Sequence, residues 1–106
     1  MVINIEEGVR RVVNNKKLYF RLLKNFKGRQ MAEKITEAVQ IKDYKEAASA
    51  CHALKGTAAN LAMRPLTDIV TKIEECVAAG QDPEGFFPEL MENIEAVETA
   101  VSELAE

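Results

Sequence analysis

Apolar residues recur along this chain at intervals of three and four, the period of helices with one buried face, and strand-like alternation is scarce. Asn4-Ile5-Glu6-Glu7 has the form of a helix start, with Asn4 as cap and Glu7 three residues on. Val9, Val12 and Val13 give that helix a short apolar face over residues 5–13. Asn15 can cap a second helix whose stripe is Leu18, Tyr19, Leu22, Leu23 and Phe26, resumed by Met31, Ile35, Ala38 and Val39. Gly28 weakens the middle by about 1 kcal/mol relative to alanine. Two separate helices are the alternative, but the stripe slips only slightly across Gly28, so the spacing predicts one kinked helix over 16–40.

Asp43-Tyr44-Lys45-Glu46 opens the next helix, over 44–61. Its buried seam is Ala47, Cys51, Leu54, Ala58 and Leu61. Lys45, Ala48, Ser49, His52, Lys55, Gly56 and Ala59 fall on the other side. Pro65 suits the first turn of a helix over 65–79, with Leu66, Ile69, Val70, Ile73 and Val77 inward. Asp82-Pro83-Glu84-Gly85 is turn chemistry. A last helix over 87–104 carries Phe87, Leu90, Met91, Ile94, Val97, Val101 and Leu104. The expectation is an all-α fold: an antiparallel up-down four-helix bundle with a short extra N-terminal helix, spanning residues 1–106 as one domain.

Composition agrees with that class. The 106 residues are 47% hydrophobic and 29% charged, with no tryptophan, three prolines and five glycines, which is globular rather than disordered. No apolar run nears the roughly 20 residues that span a bilayer. Met1-Val2-Ile3-Asn4 turns acidic too soon for a signal peptide. Cys51 and Cys76 lie on apolar stretches, which favours free thiols and a reducing, cytoplasmic setting. The net charge of −3 is unevenly spread: all fourteen bases lie at or before Lys72 with seven acids, and ten acids follow with no base. The expected reading is an acidic last helix beside basic earlier ones. No zinc-ligand cluster or aromatic stacking motif points to nucleic acid.

His52 is the single histidine, and its helical neighbours are Ala48, Ser49, Lys55 and Gly56. Such a ring stands clear of its own helix. Imidazole is partly uncharged near neutral pH and nucleophilic, and a phosphoryl group on a ring nitrogen stays labile enough to be passed on. Lys55 would put a cation beside the phosphoryl oxygens, and Gly56 invites close approach by a partner. The residues alone leave two readings open, an ordinary surface histidine and a phosphoryl acceptor.

His52-Ala53-Leu54-Lys55-Gly56-Thr57-Ala58-Ala59-Asn60-Leu61 resembles the signature of histidine-containing phosphotransfer domains, His-x-Leu-Lys-Gly-x-Ala-x-x-Leu, at every fixed position. Leu18-Tyr19, Leu22-Leu23, Phe26, Asp43, Leu66 and Ile73-Glu74 are also similar to that family. The resemblance implies a phosphorelay carrier that takes a phosphoryl group from one receiver-domain aspartate and gives it to another. It implies that His52 is the acceptor through Nε2, that Lys55 supports the phosphoryl group and that Gly56 gives access. Glu74 is similar in position to a Gln or Glu that bonds the other ring nitrogen. Lys45, Ala48, Ser49 and Ala59 would edge the docking surface.

Partners implied are response-regulator receiver domains or a hybrid histidine kinase, with no nucleic acid or membrane. No cofactor or metal is implied, since magnesium would sit in the receiver's acidic pocket. A monomer without kinase or phosphatase activity of its own is expected. The competing class is a helical module that binds a receiver without being phosphorylated. The dimerisation domain of a histidine kinase fits poorly, because Ala53 and Thr57 stand where it has an acid and a proline. One departure is Ala62, where the family often has a glycine suited to a left-handed helix end.

Overall fold

The structure, a computed structural model, describes residues 2–12 and 14–104. Six helices and no strand occur among them, so the fold is all-α. Helix α1 is Ile5–Arg11, capped by Asn4, whose side-chain oxygen accepts the Glu7 N–H at 3.0 Å. Val13, placed on its apolar face by the sequence pattern, lies outside the described residues. Helix α2 is Lys16–Lys24, with Asn15 accepting from the Leu18 N–H.

Helix α3 is Gly28–Gln40, so two helices stand where the stripe predicted one over 16–40. The reason lies in packing that local spacing does not carry. The Phe26 ring folds back over Gly28, where an added Cβ would meet ring carbons at 2.5 and 2.8 Å and the Ile94 methyl at 3.2 Å. Gly28 therefore starts a new helix instead of kinking an old one, and its bare backbone lets the ring and a distant helix close together.

Helix α4 is Tyr44–Asn60, capped by Asp43, which accepts the Glu46 N–H at 3.1 Å. Helix α5 is Arg64–Ala78, with Pro65 in its first turn. A single 3-10 turn at Glu84–Phe86 leads into α6, Phe87–Ser102. Helices α3 and α5 each pack against both α4 and α6. The core between them is aliphatic: Ile35, Leu54, Leu66, Ile73, Leu90 and Ile94 are essentially inaccessible. Arg29 on α3 and Glu98 on α6 make a two-pronged ion pair at 2.9 and 2.7 Å, and that hydrogen bonding holds the Glu98 carboxyl below its ordinary range. Here the acidic last helix does lie beside an earlier basic residue.

Helix α4 ends in a Schellman turn. The Met63 N–H reaches the Ala58 carbonyl at 2.9 Å, the Ala62 N–H reaches Ala59 at 3.1 Å, and Ala62 sits at φ 60°. The left-handed conformation is thus kept despite the loss of glycine, at a cost of about 1 kcal/mol. Two contacts from the N-terminal segment hold this corner. The Asn4 N–H donates to the Ala62 carbonyl at 2.8 Å, and the buried Tyr19 hydroxyl donates to the Leu61 carbonyl at 2.7 Å.

Burial, with a smaller contribution from the Glu7 charge, pushes the Tyr19 phenol from 10.0 up to about 12. Burial likewise raises the Cys51 thiol from 9.0 to about 12. Both groups are held neutral by the fold, so their stabilisation is complete below the unfolded values and is lost as pH rises towards the folded ones. Unfolding free energy is therefore expected to be insensitive to these groups up to about pH 9. Above that it should fall by about 1.4 kcal/mol per pH unit for each titrating group. Urea titrations at stepped pH check this, with Tyr19→Phe flattening the part above pH 10.

Candidate functional site

Local sequence decides which way α4 faces. Ala47, Ala50, Cys51, Leu54 and Ala58 are buried, and that leaves His52, Ala53 and Gly56 in solvent, one residue off the seam. The His52 side chain is 80% exposed. Among the described residues none hydrogen-bonds its ring. Lys45 and Ser49 are exposed on the same side of the helix, and Ala48 and Ala59 are half-buried there. The small residues leave the imidazole projecting above its surroundings, with Nε2 approachable.

Gly56 has no structural employment within the chain. An added Cβ would meet nothing within 4 Å, and its φ is ordinary. A mid-helix glycine without a steric cause is a cost of about 1 kcal/mol. That fits a position whose constraint comes from outside the molecule.

Glu74 reaches the site from α5. Its side chain is 23% exposed, and Oε1 accepts from the Lys55 ammonium at 2.5 Å. Its Oε2 lies 3.8 Å from His52 Nδ1, close enough for attraction but too far for a hydrogen bond. The structure therefore brings His52, Lys55 and Glu74 together, with Glu74 bonded to the lysine and only adjacent to the ring. This pairing is not legible in the sequence pattern, because it depends on the register of α5 against α4. Cys51, directly beneath, is a buried neutral thiol; its pKa is raised by burial first, then by the Glu74 charge, with Lys55 opposing.

A second feature escaped the sequence pattern. Where α2 gives way to α3, Leu22, Phe26, Met31 and Leu61 line a shallow hollow of about 460 Å³, edged by Thr57 and Asn60 of α4. It exists because the chain breaks at residues 25–27 instead of running on as one helix.

Among the described residues there is no group of three or more His, Cys, Asp or Glu side chains placed to hold a metal ion. Both cysteines are free. No described helix is long and apolar enough to cross a membrane. The chemistry available is that of one exposed nucleophilic nitrogen with a cation a turn away and a carboxylate beside both. Compared with known proteins, residues 27–106 match the family model described as Hpt domain. The match takes in α3 to α6 with His52, Lys55, Gly56 and Glu74, and begins after α2, so Leu18-Tyr19, Leu22-Leu23 and Phe26 lie outside it. No curated protein and no solved structure matches.

Proposed function

The chain belongs to the Hpt domain family, whose members carry phosphoryl groups on histidine in two-component signalling, and from that premise we propose that it is an intermediate carrier of a phosphorelay. His52 Nε2 attacks the phosphorus of a receiver's aspartyl phosphate. The O–P bond breaks with its electron pair left on the aspartate, and the N–P bond forms from the ring lone pair. The reverse step onto a second receiver discharges the histidine. Lys55 offsets the charge of the phosphoryl oxygens, and Glu74 beside Nδ1 favours the tautomer that leaves Nε2 unprotonated.

The observation that carries this reading is the 80% exposed His52 ring, held clear by Gly56 and small residues with Lys55 a turn away, inside the matched segment. Lys45, Ala48, Ser49 and Ala59 lie on the same side of α4 as the ring, up to two turns from it, and form the rim on which a receiver settles. The receiver supplies the metal and most of the rate enhancement, so the chain acts as a monomeric cytoplasmic carrier and not as a kinase or phosphatase. Incubation with a phosphorylated receiver domain tests the reading. Acid-labile, base-stable label should move onto this chain. A chain that binds the receiver yet takes no label is a docking module, and the proposal fails.

A further inference from the structure

Before any phosphoryl group arrives, Lys55 is already engaged by Glu74. Its ammonium sits 2.5 Å from Glu74 Oε1, and both side chains are mostly sheltered, at 32% and 23% exposed, whereas the His52 ring is 80% exposed. The carboxylate thus holds the lysine in a drier place than the one where the phosphoryl group would stand. We propose that Glu74 regulates how long His52 keeps its phosphoryl group, by competing with it for Lys55. The inference rests on His52 being the phosphoacceptor and adds a tuning role for the residue that faces it across the helix pair.

The competition is finely poised for physical reasons. A phosphoryl group on Nε2 brings nearly two negative charges against one on Glu74, which draws the ammonium outward. Its oxygens stand in solvent, where each charge counts for less than between half-sheltered partners. Lys55 lies one helical turn from His52, so a change of side-chain rotamer moves it between the two without disturbing α4. Glu74 withholds the cation that would stabilise the N-phosphoryl group, and so favours discharge over retention, as suits an intermediate that must pass its cargo on. A glutamine at position 74 keeps the size and a hydrogen-bonding oxygen and loses the charge.

The test compares four chains, wild type, Glu74→Gln, Lys55→Ala and the double variant, each equilibrated with the same phosphorylated receiver domain. The readouts are the fraction of label held by the chain and its rate of loss after the receiver is removed. Glu74→Gln should raise the histidine-held to receiver-held ratio by about fivefold, the scale of a partly sheltered ion pair, and slow label loss similarly. In the Lys55→Ala background the same substitution should shift the ratio by less than about twofold. An unchanged or lowered ratio in Glu74→Gln overturns the proposal. An equal rise with and without Lys55 overturns it too, since Glu74 would then act on the ring alone. Wild-type chain that takes no label defeats the carrier reading itself, a result distinct from wild-type labelling with an inert Glu74.

Discussion

A chain carrying His52→Gln is expected to take up no acid-labile, base-stable label from a phosphorylated receiver while unfolding like the wild type. The two halves of that expectation have separate causes. The glutamine amide lone pair is delocalised into its carbonyl, so no nucleophilic nitrogen remains at the position, and the loss should be complete rather than graded. Stability should move by less than about 0.5 kcal/mol, as for exposed substitutions that break no contact, because the ring is 80% exposed and hydrogen-bonds no described residue. Label measured beside a urea melt checks both. Label persisting on the variant would place the acceptor elsewhere.

The largest stability effect is expected from a single methyl group at Gly8. A Cβ there would overlap the phenol end of Tyr19, against Cζ, Cε1 and Oη. Neither obvious relief is cheap. Moving the ring breaks the bond from the Tyr19 hydroxyl to the Leu61 carbonyl in a fully buried place, and moving α1 pulls Asn4 from the Ala62 carbonyl. Gly8→Ala should therefore cost about 3 kcal/mol, as overpacking combined with a lost buried hydrogen bond does. The same substitution at Gly56, where nothing lies within 4 Å, should stabilise the chain by up to about 1 kcal/mol through helix propensity. Equal effects at the two positions, read from denaturant midpoints, would contradict the packing described for α1.

Those glycines also show how far the sequence could be read. The inward set of α4 was legible because its spacing is dense and unbroken, and the outward position of His52 follows directly from it. Asn4, Asn15 and Asp43 were legible as caps because capping is local chemistry, three residues from acceptor to donor. Gly28 was not. Its propensity cost alone is compatible with a kink, and what makes it a helix start is the Phe26 ring and Ile94, the latter sixty-six residues away. Gly8 gave no signal either, since its reason is a tyrosine on the next helix.

At the site the division is the same. His52, Lys55 and Gly56 share one helix, and their common exposed side is fixed by periodicity. Glu74 could be named only through family likeness, and likeness gave it to the ring. The register of α5 on α4 gives its hydrogen bond to Lys55 instead, and leaves Nδ1 3.8 Å away. Ala62 carries a related lesson. A residue type poorly suited to φ 60° still adopts it, because the Schellman bonds and the contacts from Asn4 and Tyr19 fix the corner around it.

The most direct measurement of the central claim is phosphorus–proton correlation spectroscopy on the phosphorylated chain. Nε2 lies between the two ring carbons that bear protons, whereas Nδ1 has only one such neighbour. Phosphorus on His52 Nε2 must therefore correlate with both ring protons of the chain's one histidine. Correlation with a single ring proton would place the phosphoryl group on Nδ1, and correlation with none would place it on another residue; either result contradicts the account.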